Sequence, residues 1–260
     1  MNAPEKRDDR TQDDINAYTL KQIEWNNQSW GDINDCKHCK GRGYMFKATY
    51  SKYNPTMLRE IAYECPVCKA FPSQKKYFEK SGIKKELDRQ TFDTFTTPDE
   101  ATKKLKSQVQ AWLAQSKSPF IYIHGSNGTG KTHISMAALN DLGKSSNFQV
   151  FLWKRDMSDL KAIKNTPEYT QRVRKYRETP VLYIDDLLKT THGGDPSKAD
   201  FETIQDILEE RYNKERTTII SSEHSAYDLA MMDPALAGRI VERAGDFVIK
   251  AEGKNQRGRR

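Results

Sequence analysis

The octapeptide "GSNGTGKT", residues 125–132, restricts the possible folds of this 260-residue chain more than any other stretch. It fits the spacing G-x-x-x-x-G-K-[ST] through Gly125, Gly130, Lys131 and Thr132, after the apolar run "FIYIHG" and before the helix-like "KTHISMAALNDL". Glycines let successive backbone N–H groups turn inward around phosphate oxygens, and a helix starting there points its positive end at the same charge. Strand, loop and helix are the context this chemistry requires, so the loop reads as a nucleotide site. Gly125, Ser126, Asn127, Gly128, Thr129, Gly130, Lys131, Thr132 and His133 then line the cradle for ATP or ADP. Lys131 reaches the β/γ-phosphates and the Thr132 hydroxyl holds Mg²⁺. His124 and His133 read as packing or phosphate-edge residues rather than catalysts.

The chain from residue 83 to 260 alternates strand-like and helix-like segments. "FQVFLW", "PVLYIDD", "TTIISSE" and "FVIKA" are further apolar strands. "TKKLKSQVQAWLAQ" and "SKADFETIQDILEERYNKE" place Leu105, Val109, Trp112 and Leu113, and Phe201, Ile204, Ile207, Leu208 and Tyr212, at helical period. "DPALAGRIVERAG" carries an Asp cap, Pro at the first helical position and a Gly stop. Near-continuous apolar strands between helices predict a parallel sheet covered on both faces. Within it, "VLYIDD" delivers Asp185 and Asp186 to the C-terminal edge of a buried strand, where α/β ligand sites lie. Asp185 would orient Mg²⁺, and Asp186 would position or deprotonate the attacking water.

Charge narrows the partners. Lys and Arg outnumber Asp and Glu 14 to 11 over residues 1–80 and 5 to 1 over 250–260, and balance at 24 each between. Inside the balanced part, 161–178 holds six basic and two acidic residues with Tyr169 and Tyr176 among them. Basic residues interleaved with aromatics suit single-stranded nucleic acid, and a solvated helix face is the plain alternative. No run approaches a membrane span and the polar start resembles no secretory signal, so a cytoplasmic protein without a membrane partner is expected.

Four cysteines form C-x2-C-x25-C-x2-C through Cys36, Cys39, Cys65 and Cys68. Two such knuckles supply the four thiolates that structural Zn²⁺ prefers, with Gly41 and Gly43 relaxing the chain after the first. A redox pair would need one C-x-x-C in a thioredoxin-like setting, which is missing; free thiols are the remaining alternative. Residues 1–82 are expected to form a small zinc-stapled domain with a short hairpin turning near Asn54 and Pro55. Trp25, Trp30, Tyr44, Phe46, Tyr50 and Tyr53 are either docking aromatics or its small core.

Together "GSNGTGKT", "VLYIDD", "TTIISSEH" and "AGRIVERAG" with "GKNQRGRR" resemble, in order, the motifs of AAA+ ATPases, and most of all the DnaC/DnaI-type replicative helicase loaders and the related IstB-like ATPases. "RQTFDTFTT" with Phe92 and Phe95 is similar to the aromatic segment preceding the fold in that family. The resemblance implies an AAA+ αβα sandwich lacking the helical lid, because the chain ends about ten residues after its last strand. It implies that Glu223 stands where the family carries a sensor Asn, with Ser222 as substitute donor. By the same resemblance Arg243 is an arginine finger, Arg239 the basic position before it, and Arg257 the sensor-2 arginine. The implied function is slow, partner-stimulated ATP hydrolysis that loads a hexameric DnaB-type helicase onto single-stranded DNA in bacterial or phage replication. Self-association would occur only on the ring or on DNA. A transposition helper acting on double-stranded DNA and a non-hydrolysing nucleotide-gated adaptor are the alternatives.

Overall fold

The computed structural model describes residues 11–29, 44–51, 54–64, 83–115, 117–143, 146–190 and 194–253. Cys36, Cys39, Cys65, Cys68, Trp30, Tyr53, Arg257 and the side chains of Trp25 and Tyr44 lie outside them. Two compact units are present, one drawn from residues 1–72 and 114–116, the other from 73–113 and 117–260.

In the first unit, helix α1 (Gln12–Ser29) accompanies a hairpin of β1 (Tyr44–Tyr50) and β2 (Leu58–Glu64). The strands pair antiparallel from Tyr44↔Glu64 to Tyr50↔Leu58. Ile15, Ile23, Phe46 and Met57 are its buried apolar side chains. Two asparagines on α1 treat the strands as a neighbouring strand would. Asn27 donates Nδ2 to the Phe46 carbonyl and accepts the Phe46 N–H, both at 2.9 Å. Asn16 does the same to the Thr56 carbonyl and the Leu58 N–H, also at 2.9 Å. Backbone polar groups that a two-stranded ribbon leaves open are thereby satisfied. Phe46 serves this core, whereas Tyr50 is 65% exposed.

The second unit carries a five-stranded, all-parallel sheet in the order β4-β5-β6-β3-β7. Its strands are β3 (Phe120–His124), β4 (Phe148–Leu152), β5 (Val181–Leu187), β6 (Thr217–Ser222) and β7 (Val248–Lys250). Its helices are α2 (Ile83–Arg89), α3 (Glu100–Ala114), α4 (Lys131–Gly143), α5 (Trp153–Ala162), α6 (Pro167–Glu178), α7 (Lys198–Asn213), α8 (Ala226–Met232) and α9 (Pro234–Ala244). All five expected strands form; β3 is buried up to His124, and β6 is buried after Thr217 with the polar Thr218, Ser221 and Ser222 among its buried residues. α7 opens on a reciprocal Ser197/Asp200 capping box, and α9 on Asp233 followed by Pro234, closing at Gly245.

Two departures from expectation concern the segment after β4. Trp153 reads as the last strand residue but is the first of α5, because the Asp156 carboxylate reaches back 2.7 Å to accept the Leu152 N–H and starts a helix there. Tyr169 and Tyr176 are not stacking platforms. They lie with Val173 on one face of α6, and Tyr176 is buried edge-on against Phe151 at 4.9 Å. The spacing 169, 173, 176 is helical period, so aromatics interleaved with charge in the sequence are separated from it in space. Five of the six cations of this run are paired: Lys161 with Asp200, Lys164 with Glu202, Arg172 with Glu168, Arg174 with Glu178 and Arg177 with Asp206. The run is a salt-bridged helix surface, the plain alternative.

Arg211, fully buried, ties this region to the sheet. Its guanidinium donates to the carbonyls of Tyr176, Arg177, Thr179, Pro180 and Thr217 and to the Thr218 hydroxyl, over 2.6–3.4 Å. Burial pushes its pKa well down, with the charge of Arg216 adding to it. The C-terminal carbonyls of α6 supply negative potential that a carboxylate would otherwise provide. Arg211→Met would orphan those acceptors, so it should lower unfolding free energy by about 3 kcal/mol or more in chemical denaturation.

Candidate nucleotide site

The loop between β3 and α4 is built by close approach of backbone to backbone. Gly125 has φ of 144°, and a Cβ there would stand 2.4 Å from the carbonyl oxygen of Ala251. Its N–H instead donates to the Ser222 carbonyl at 3.2 Å, while Ala251 N–H donates to the His124 carbonyl at 2.7 Å. Gly130, at φ 89°, is covered by the Phe95 ring, 3.0 Å from where a Cβ would lie. Phe95 is held there edge-on to His133 at 5.2 Å. The His133 Nε2 sits 3.2 Å from both the Thr91 carbonyl and the Thr94 hydroxyl, and burial lowers its pKa. His133 thus fastens the 91–95 segment beneath the loop, in a packing role. His124 stacks on Tyr122 at 5.9 Å, and burial also lowers its pKa.

Lys131 is 4% exposed and folds back over the loop, donating to the carbonyls of Gly125 at 2.7 Å and Ser126 at 2.9 Å. Burial pushes its ammonium pKa down, against the pull of Asp186, Glu223 and Asp185. Thr132 donates its hydroxyl to Asp185 Oδ1 at 3.1 Å. The same oxygen accepts the Ser221 hydroxyl at 2.9 Å and the Tyr183 hydroxyl. Burial raises the Asp185 pKa and the neighbouring Asp186 charge adds to this, while the three hydroxyls resist it. Asp185 Oδ1 is therefore the point where α4, β5 and β6 meet.

Between Ile184 and Leu187, β5 takes three steps while β6 takes two, so Asp185 and Asp186 sit on a bulge. Asp186 has φ of 57° and Leu188 φ of 60°, both in the left-handed region. Strain of this kind persists where surrounding contacts fix it, and it gathers at functional sites. Here the Asp186 N–H donates to the Ser221 hydroxyl at 3.1 Å, and the Lys189 N–H closes the turn on the Asp186 carbonyl at 3.0 Å.

That turn brings in Lys189, which sequence reasoning did not single out. Its ammonium donates to Asn127 Oδ1 at 3.1 Å and Asp186 Oδ2 at 3.0 Å, and pairs with Glu223 Oε1 at 2.5 Å. Burial works against its charge, yet the contacts with Glu223 and Asp186 prevail and its pKa is raised. Glu223 is likewise lowered: burial opposes the charge, and Lys189, Asn127 and Lys131 overcome it. Tyr183 and Ser221 were missed as well. The only hint was three hydroxyl-bearing residues on adjacent strands, which composition does not distinguish from sheet filler. Ser222, expected as a substitute phosphate donor, is 1% exposed; it donates to the Leu187 carbonyl and accepts the His224 N–H. Its hydroxyl is committed to the backbone.

The arginines lie elsewhere. Arg243 donates to Glu215 at 2.7 Å and covers the Tyr212 ring at 4.3 Å, and Arg239 pairs with Glu209 at 3.3 Å. Glu215 lies two residues before β6, so Arg243 sits at the N-terminal edge of the sheet, away from its own loop.

A glycine-rich loop after β3, faced by acids at the ends of β5 and β6 in a parallel sheet of this order, defines an AAA+ nucleotide-binding module. The chain belongs to the bacterial DnaA ATPase domain family, which matches residues 87–243. It is 31% identical over 185 residues to the uncharacterized protein YqaM of Bacillus subtilis (strain 168), covering 66% of this chain and 58% of YqaM. It is 24% identical to the replicative helicase loader DnaI of the same organism over 217 residues, 75% of this chain and 68% of DnaI. Among solved structures it is similar to the replication initiator DnaA bound to AMPPCP and single-stranded DNA, with a TM-score of 0.53 at 20% identity over 64% of this chain and 51% of that one. This chain spans only about half of the curated relatives it matches first, 58% and 50% of their lengths.

Gly125→Ala should disrupt the junction of loop, β6 and β7 together, because the clashing atom is backbone that cannot swing away. Expected is a loss of nucleotide binding by calorimetry with a stability loss of about 2 kcal/mol or more, strain of this φ included.

Proposed function

We propose that this chain is an ATP-dependent loader that places a hexameric DnaB-type replicative helicase onto single-stranded DNA during initiation of bacterial or phage replication. The observation that carries the reading is the assembled Thr132–Asp185 pair beside Lys131, in a chain of the DnaA ATPase family that is similar to DnaI over three quarters of its length. Gly125, Ser126, Asn127, Gly128, Thr129, Gly130 and His133 frame the phosphates, and Lys131 leaves its two carbonyl partners to meet them. Thr132 and Asp185 fit Mg²⁺, since a hydroxyl and a half-buried carboxylate whose three hydroxyl partners all sit on Oδ1 are the hard oxygen donors it takes. When bound, such an ion would offset the negative charge of the phosphates, held by Thr132 and Asp185. Asp186 orients the attacking water. Arg243 acts in trans, on the nucleotide of a neighbouring subunit assembled on the ring or on DNA, and Arg257 completes the phosphate contacts.

The first unit would hold the helicase through a zinc-fixed surface. Support comes from the hairpin register: Tyr44 lies opposite Glu64, and in the chain Cys39 precedes Tyr44 by five residues while Cys65 directly follows Glu64. In the chain, one cysteine couple thus precedes the hairpin and the other follows it, the order two knuckles of a single Cys₄ site take.

One observation favours a second reading. With Asp186 and Glu223 both paired to Lys189, the module could bind nucleotide without hydrolysing it and act as a nucleotide-gated adaptor. Steady-state phosphate release no greater than that of Lys131→Ala, with and without single-stranded DNA, would select the adaptor.

Lys131→Ala should weaken MgATP and MgADP binding at least about tenfold in calorimetry, the effect of removing a charge-assisted hydrogen bond. A folded protein that takes up neither nucleotide and does not co-purify with a DnaB-type ring would sink the loader reading. The purified chain should carry about one zinc by metal analysis. Cys36→Ser should release the metal and abolish retention on the ring while leaving nucleotide binding within about twofold, the additivity expected of separate units.

A further inference from the structure

Lys189 occupies a position that the proposed nucleotide cycle leaves unexplained. It stands three residues beyond Asp186, in a turn held by two left-handed residues, and its ammonium reaches three segments at once: the loop at Asn127, the β5 bulge at Asp186 and the end of β6 at Glu223. Asn127 belongs to the loop that would cradle phosphate, so the ammonium already borders the space a third phosphate would enter. Glu223 on its own is the wrong residue for that border, being an ionised acceptor facing an anion. Paired with Lys189, the acid becomes the anchor of a cation. The side chain is one-third exposed, so it is supported but not sealed in and can redirect.

We propose that Lys189 is the residue that recognises the terminal phosphate of bound triphosphate, with Glu223 as its anchor, so that the Glu223–Lys189 pair provides the positive donor that Glu223 itself cannot. The proposal rests on the nucleotide-binding reading above. Without nucleotide, Lys189 bridges Asp186 and Glu223 and holds the two carboxylates together beside a loop awaiting an anion. With triphosphate, the ammonium turns from Asp186 and Asn127 to the terminal phosphate oxygens while Glu223 keeps hold of it. Asp186 then regains an unpaired carboxylate for the attacking water. Diphosphate lacks the group that draws Lys189 away, so the clamp on Asp186 re-forms. ATP and ADP are thereby distinguished by a single side chain, and the difference is passed to the bulge on β5 and to the end of β6.

The test is calorimetry of MgADP and of a magnesium complex of a non-hydrolysable ATP analogue, on wild type, Lys189→Met, Lys189→Arg and the double variant Lys189→Met/Glu223→Ala, which removes the acid without adding an amide donor. Lys189→Met should weaken the analogue about tenfold and leave ADP within about twofold, as removal of one charge-assisted hydrogen bond to the terminal phosphate requires. Lys189→Arg should recover most of that affinity, since the guanidinium remains a cationic donor. The double variant should stay as defective as Lys189→Met, because deleting the repelling acid does not restore a phosphate donor. Recovery of analogue affinity in the double variant would overturn the proposal, as it would make Lys189 only a neutraliser of Glu223. An unchanged ratio of analogue to ADP affinity in Lys189→Met, or parallel loss of both nucleotides with an unaltered melting transition, would overturn it too. Wild type that binds neither nucleotide fails the nucleotide-site reading instead, an outcome seen before any variant is compared.

Discussion

One oxygen, Oδ1 of Asp185, joins the parts of this site. It accepts hydroxyls from Thr132 at the start of α4, Tyr183 two residues back on β5 and Ser221 on β6. A half-buried carboxylate oxygen is costly to leave unpaired, and three hydroxyls pair this one. The same contacts fix the loop helix to two central strands, so phosphate cradle and metal-holding acid share a frame. Ser221 extends the network by accepting the Asp186 N–H, which holds the strained bulge open toward the loop. Removing Asp185 would therefore alter the frame as well as the chemistry.

Close packing surrounds that network. Gly125 allows the loop to pass against Ala251, and Gly130 allows Phe95 to sit under it. Both contacts join segments remote in sequence, 91–95 on one side and β7 on the other. The aromatic stretch before the fold is thus part of the loop's floor, fastened by His133, and nucleotide would act on an element already coupled to three strands. Small displacements in such a packed junction move discrete neighbours rather than dissipating.

Much of this was legible in the sequence because it is local. Apolar runs of four or five residues gave the strands, and the glycine spacing with its strand and helix gave the loop. The Asp233 cap with Pro234 gave one helix start. What was hidden depends on a third dimension that period alone does not supply. Tyr169 and Tyr176 looked available because the charges around them are near in sequence, but helical geometry turns the rings inward and the charges outward. Lys189 looked like an ordinary loop lysine, since nothing in "DDLLK" announces two left-handed residues that bring its ammonium back onto Asp186. Ser222 looked like a donor until its hydroxyl proved occupied by Leu187 and His224. Arg211 carried no signal, being one charged residue among many on its helix, although it is fully buried among carbonyls.

The two acids at the sheet edge resolve into one argument through Lys189. Asp186 carries its carboxylate on a short side chain, and Glu223 is an acceptor where the resemblance implies an amide donor. Taken singly, each substitution weakens a nucleotide site: less reach in one case, repulsion in the other. Taken with an ammonium 3.0 Å from one and 2.5 Å from the other, they form a charge arrangement with a net of one negative, close to neutral when Lys131 is included. Such an arrangement accepts incoming phosphate without the cost of bringing anions against two bare carboxylates. It also makes the state of the acid depend on where one lysine points, so the extra acid and the extra base belong to the same solution.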